Sequence, residues 1–205
     1  MQIQLFSGEP KQTGQIDYHR KLIDRQSWKP KDITADKVKT DFQTPAPVCD
    51  YMVDLIPIEA ISILEPTPGI GNMVAALRAK GYQSITAPND FFQIDRSKRF
   101  DCVVMNPPFS SRYAFNLPDD FEHHGMRLGY YMLTECMKMS DHVIALMPWF
   151  TVSDSDVRLR ELRGFGVKSL TALPRKTFRY ARIQTVVLEL QKGYNGATEF
   201  KVFDF

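Results

Sequence analysis

The sequence predicts an α/β fold with a mainly parallel sheet, built around a Rossmann-like unit. Three observations carry that prediction. The runs 102–105 and 142–148 are short, apolar and rich in β-branched residues, as strands buried on both faces are. Stretches with apolar residues at helical spacing alternate with those runs. Residues 60–81 read as strand, glycine loop and helix, the arrangement of a nucleotide-binding half.

Residues 1 to about 40 are polar and aperiodic, with eight Lys or Arg against five Asp or Glu, and read as a loosely packed arm. Trp28, between Arg25, Lys29 and Lys31, is its one hint of nucleic-acid contact. Residues 41–205 then form a single domain. Phe42-Gln43-Thr44-Pro45 opens its first helix, with Thr44 suited to an N-cap and Pro45 to the first helical position. Val48, Tyr51, Met52, Leu55 and Ile56 give that helix one buried face, and Pro57 ends it. Its N-terminus also offers N–H groups to an anion such as a carboxylate.

Residues 60–64 read as a strand with the loop Glu65-Pro66-Thr67-Pro68-Gly69-Ile70-Gly71-Asn72 at its carboxyl end. Gly69 and Gly71 let the backbone approach a ligand closely. A helix follows with Met73, Ala76 and Leu77 towards the sheet, and Gly81 closes it. Val74 stands where the third glycine of a dinucleotide fingerprint would be, and Glu65 would repel a pyrophosphate. A carboxylate there suits a ligand with an ammonium group, such as an amino acid moiety. That turns the reading from a dinucleotide towards S-adenosylmethionine.

After a short strand at 84–87 comes Pro88-Asn89-Asp90-Phe91-Phe92. Asp90 can accept from an adenine amine or a ribose hydroxyl, and Phe91 or Phe92 can cover an adenine face. In the plainer alternative both rings are core and Asp90 caps a turn. The strand 102–105 must stop at Asn106, because Pro107 and Pro108 cannot donate to a ladder. A polar amide is thereby held at the carboxyl end of a strand, where open α/β sheets bind ligands. The Asn106 side-chain oxygen and the Pro107 carbonyl are two acceptors that match the two N–H donors of a planar amine. Phe109 adds a face for stacking. Aimed at an exocyclic base amine, such acceptors favour tetrahedral nitrogen and the positive charge that grows in the transition state. The alternative is an ordinary strand-ending turn.

Residues 110–125 read as a solvent-exposed lid with an acidic-aromatic tip (Asp119 to Glu122) and the pair His123-His124. Adjacent histidines point in different directions, so no metal is expected. Residues 126–139 read as a helix and 142–148 as a strand, after which Trp149 can line a target pocket. A helix over 154–162, closed by Gly164, and strands over 167–173 and 185–190 complete the domain. Between the last two strands, Arg175, Lys176, Arg179 and Arg182 interleave with Phe178 and Tyr180, a combination suited to phosphate contact and base stacking. From Asp156 to Arg182 eight basic residues face two acidic ones, a local +6 inside a chain of net charge +2. A merely solvated basic loop is the alternative.

No apolar run approaches membrane-spanning length, so no membrane association is expected. The first residues lack a basic region leading into an apolar segment, which argues against secretion. Cys49, Cys102 and Cys136 lie far apart without zinc spacing and read as reduced thiols of a cytoplasmic protein.

Phe-Gln-Thr-Pro, Glu-Pro-x-x-Gly-x-Gly-Asn, Asn-Asp-Phe-Phe and Asn-Pro-Pro-Phe, in that order over residues 42 to about 192, resemble the γ-type DNA adenine-N6 methyltransferases. The resemblance implies a Rossmann-like class I methyltransferase fold with an antiparallel last strand. It implies S-adenosylmethionine as cofactor, its methionine end held by Phe42, Gln43, Thr44 and Pro45 together with Glu65, Pro66, Gly69, Gly71 and Asn72. Asp90 and Phe91 would hold the cofactor's adenine. Asn106, Pro107, Pro108 and Phe109 would grip a target adenine flipped out of DNA. One departure is that about eight residues separate Gly81 from Asp90, so a strand and a helix, and with them the usual ribose acid, are expected to be missing. The other is the lack of room for a separate recognition domain, so that sequence recognition would fall to loops 110–125 and 174–183 or to a partner protein. Phage or mobile elements would suit so compact an enzyme. Rival readings are methylation of RNA bases or protein glutamine, a non-catalytic subunit, and a dinucleotide oxidoreductase.

Overall fold

The computed structural model describes residues 43–109, 128–178 and 183–204. The readings made for the arm, Phe42, the 110–125 lid, Arg179, Tyr180 and Arg182 fall outside those residues. Seven strands among the described residues form one sheet: β1 (Ser62–Leu64), β2 (Ser84–Thr86), β3 (Cys102–Met105), β4 (His142–Pro148), β5 (Val167–Ala172), β6 (Thr185–Gln191) and β7 (Glu199–Val202). Their order across the sheet is β2-β1-β3-β4-β6-β5-β7. β2, β1, β3 and β4 pair in parallel, β6 runs antiparallel to both β4 and β5, and β7 is parallel to β5. The mainly parallel α/β sheet is therefore as expected. Its antiparallel strand is β6, and one further strand, β7, follows it.

Helices α1 (Ala46–Asp54) and α2 (Asn72–Ala79) cover one face. Helices α3 (Leu128–Met139), α4 (Phe150–Ser153) and α5 (Asp156–Phe165) belong to the other. The period of two in β3 serves both faces. Val103 and Met105 pack with Leu128, Leu133 and Leu162. Cys102 and Val104 pack with Val48, Met52, Met73 and Leu77. Burying each large apolar side chain here contributes roughly 1.5–3 kcal/mol. Asp101 pins the lower end of the central pair, since its Oδ2 accepts from Ile61 N, Ser62 N and Ser62 Oγ at 2.8–3.0 Å.

Several local expectations are corrected. Pro45, not Thr44, is the N-cap of α1, and no side chain caps that helix. The α-helix stops at Asp54, its end tightening as Leu55 N and Ile56 N bond to Met52 O and Val53 O, and Pro57 has no N–H to carry it further. Gly164 lies inside α5, and Gly166 ends it with φ +127° and its N–H bonded to Leu162 O. A Cβ on Gly166 would stand 2.2 Å from Gln191 O, so glycine is required there by contact as well as by φ. Between β2 and β3 the chain makes only a 3₁₀ turn, Phe91–Gln93. The missing strand and helix are thus missing in the fold, and β2 is an edge strand.

Candidate active site

The strand order reverses at β1, with β2 on one side and β3 on the other, so the carboxyl ends of β1 and β3 flank a topological switch point. Glu65 to Asn72 leave β1 there, and Asn106 to Phe109 leave β3. Three polar links hold these segments and residues 43–45 together. Asn106 Nδ2 donates to Thr44 Oγ1 at 2.9 Å. Asn72 Nδ2 donates to Thr44 O at 3.0 Å. Thr67 Oγ1 stands 3.2 Å from both Asn106 O and Glu65 Oε1, its one proton shared between the two acceptors. Thr44 is 5% exposed and forms the hub of this cluster.

The glycine loop is shaped by its neighbours. Gly69 (φ +55°) and Gly71 (φ +94°) both lie in the left-handed region, and Gly71 is the N-cap of α2. A Cβ on Gly69 would come within 2.6 Å of Gln43 Oε1, which accepts from Ile70 N at 3.2 Å. Gln43 therefore lies against the loop, and Pro45 stands where α1 begins, its carbonyl accepting from Val48 N and Cys49 N.

Glu65 is 1% exposed. Burial pushes its carboxyl from the ordinary 4.5 up to about 8, while hydrogen bonds from Thr67 N and Thr67 Oγ1 pull it down. A neutral acid at pH 7 is thus stored beside the loop, and an arriving ammonium would favour its ionised form. Pro66 is buried beside it. Burial, then Glu65 and Asp50, push the Cys49 thiol up to about 12, and burial raises Cys102 and Cys136 as well.

Asp90 and Phe91 follow β2. Asp90 Oδ1 accepts from Phe92 N at 2.9 Å and caps the 3₁₀ turn. Phe91 is 4% exposed, packs in the α3-side core, and carries the Arg96 guanidinium 4.1 Å from its ring centre. Phe92 is the half-exposed ring of the pair. Of the Asn106–Phe109 turn, Pro107 is buried, and Pro108 and Phe109 are half-buried. Trp149 packs edge-on to Phe200 of β7 at 6.3 Å rather than being bonded to this cluster. Arg175 and Lys176 are exposed on a turn closed by Thr177, whose N–H and hydroxyl both bond Pro174 O. That turn follows β5 and precedes β6, which places it at the same sheet edge as Asn106.

Three contributors had no strong sequence signal. Thr67 sits at a position the loop motif leaves open. Gly129 brings α3 against the turn, where a Cβ would lie 3.2 Å from Pro108 O and 3.3 Å from Phe109 Cα. Arg158 lines a small cavity with Phe109, Tyr130 and Pro148, and donates through Nη2 to Phe150 O at 2.9 Å. Among the described residues no group of three or more His, Cys, Asp or Glu could hold a metal, and no helix is long and apolar enough to cross a membrane.

No protein-family model and no curated protein matches the sequence. Solved structures do resemble its fold. One is a type I restriction-modification methyltransferase subunit from Streptococcus thermophilus, at 17% identity and TM-score 0.60, covering 79% of this chain and 47% of that one. Another, described as a modification subunit of a type I restriction enzyme from Vibrio vulnificus YJ016, has 19% identity and TM-score 0.59 over 90% and 50% of the two chains. A third, described as a class I S-adenosylmethionine-dependent methyltransferase from Listeria monocytogenes, has 13% identity and TM-score 0.56 over 90% and 77%. The chain spans about half the length of the first two. The fold is the class I S-adenosylmethionine-dependent methyltransferase fold.

Proposed function

We propose that this protein transfers a methyl group from S-adenosylmethionine to the exocyclic N6 of adenine in DNA. The observation that carries the proposal is the switch-point cluster, in which Asn106 is bonded both to the residue 43–45 segment and to the loop after β1. The residues present fit the cofactor's amino acid end. An arriving ammonium would favour the ionised form of the buried carboxyl, and Gly69 and Gly71 hold the loop in the left-handed backbone that other residues rarely adopt. Glu65, Pro66, Gly69, Gly71 and Asn72 would hold that end together with Phe42, Gln43, Thr44 and Pro45, and Asp90 with Phe92 would take the adenosine, the Phe91 ring being closed off by the core and Arg96. When bound, the cofactor supplies an electrophilic methyl group.

The protein's own part is positioning and electrostatics. Asn106 Oδ1 and Pro107 O accept from the two N–H groups of the target amine, which localises its lone pair for attack. Pro108 stiffens the turn, and Phe109 offers its ring to the extruded base. Arg175, Lys176, Arg179, Tyr180 and Arg182 would follow the phosphates at this edge. Sequence recognition would come from neighbouring loops or from a partner subunit. The structural neighbours named as subunits of restriction-modification systems support DNA over RNA or protein as the polymer.

Radiolabelled S-adenosylmethionine offered with unmethylated DNA, RNA and protein extract tests this. Label is expected in DNA, and Asn106→Ala is expected to reduce it at least about a hundredfold, the scale of losing one preorganised transition-state contact. Label confined to RNA or protein would refute DNA as substrate, and equal activity in Asn106→Ala would refute the site.

A further inference from the structure

Thr44 is assigned above to the cofactor, yet its side chain faces the catalytic turn. Its hydroxyl oxygen accepts from Asn106 Nδ2 at 2.9 Å, and its carbonyl accepts from Asn72 Nδ2 at 3.0 Å and from Cys49 Sγ at 3.5 Å. It does not cap α1. We propose that Thr44 is a positioning residue that locks the Asn106 amide with its acceptor end towards the substrate amine. The inference rests on the methyltransferase reading of the site.

The physical reason lies in the symmetry of the amide. The oxygen and the NH₂ of Asn are nearly the same size, so a half-turn about the side chain exchanges an acceptor for a donor. With Nδ2 turned to the substrate, an N–H would face an N–H of the amine and repel it. The Thr44 hydroxyl could also donate to Oδ1, so the lock lies in the sense of this bond: with Nδ2 as the donor, Oδ1 is turned the opposite way. Thr67 fixes the backbone of the same residue through Asn106 O, so main chain and side chain are held by different partners. Because the Thr44 backbone is tied to Asn72 beside the glycine loop, ordering that loop around a cofactor also orders the acceptor. Cofactor site and target site thereby share one residue, its carbonyl tied to the loop and its hydroxyl to Asn106.

Thr44→Val keeps the shape and removes the acceptor, and Thr44→Ser restores it. At saturating S-adenosylmethionine the Val variant is expected to lower the single-turnover methylation rate by about tenfold or more. Its cofactor Kd should change by less than about threefold, and the Ser variant should recover most of the rate. A wild-type rate in Thr44→Val, or a deficit that vanishes on saturation with cofactor, would overturn the proposal. A second readout needs no activity: the side-chain amide signal of Asn106 in the protein alone, assigned by its loss in Asn106→Ala. Slow exchange in wild type and Thr44→Ser with fast exchange in Thr44→Val upholds the lock, and equal exchange in all three overturns it. If wild type methylates nothing, this signal still decides about Thr44, while the methyltransferase reading itself fails.

Discussion

A carboxyl group shut away from water at the end of β1 gains little from ionising, and Glu65 consequently titrates at about 8. Its native pKa lies above the unfolded value of 4.5, so between those values the native state holds a proton that the unfolded chain has lost. Stability from this group is full below about 4.5, falls as pH rises towards 8, and is level above that. Urea denaturation from pH 5 to 9 is expected to show a decline amounting to a few kcal/mol, and Glu65→Gln should flatten it. Binding follows the opposite course. A ligand ammonium requires the carboxylate, so affinity for S-adenosylmethionine should rise with pH up to about 8 in wild type and lose that slope in Glu65→Gln. A flat wild-type binding profile would remove Glu65 from the cofactor site. The sequence made this residue legible through its position before the glycines. Its neutrality was not legible, because that follows from complete burial, which no local pattern announces.

Elements were readable where their patterns were strong. β3 and β4 carry unbroken apolar runs, and both have the predicted bounds. β7 was missed because it has four residues and its apolar side chains, Phe200 and Val202, point to solvent rather than into a core. The end of α5 falls at Gly166 rather than at the expected Gly164, because the choice depends on a contact with Gln191, distant in sequence. The same kind of contact makes α3 a seat for the turn after β3. Ala at position 129 would gain helix propensity of roughly 0.5–1 kcal/mol but would press a Cβ against Pro108 O and Phe109 Cα. Gly129→Ala is therefore expected to leave thermal stability within a few degrees of wild type while slowing methyl transfer by about tenfold, since the turn must shift by a few tenths of an ångström. Unaltered transfer would mean the turn absorbs the methyl group without moving Asn106.

At the scale of the whole molecule, a small net charge does not say where the cations stand. A chain of net charge +2 carries the exposed Arg175 and Lys176 on the edge that also holds Asn106. If these two contact phosphates, Arg175→Ala with Lys176→Ala should reduce the slope of log Kobs against log salt by about 1.8 on duplex DNA, or about 1.4 on single strands. An unchanged slope would leave them as solvated charges. The sheet supports this assignment because β4, β5 and β6 bring the basic turn to the edge defined by β1 and β3. That convergence could be anticipated from the sequence only through the α/β pattern, since nearly seventy residues separate Asn106 from Arg175.

The central claim is that the two acceptors at the end of β3 serve one particular amine. The direct measurement is nucleoside analysis of DNA incubated with the protein and methyl-labelled S-adenosylmethionine, comparing wild type with Asn106→Ala. Label is expected in N6-methyladenine from wild type and is expected to be lost in the variant. Label in a methylated cytosine, or in N6-methyladenine made equally well by Asn106→Ala, would contradict it.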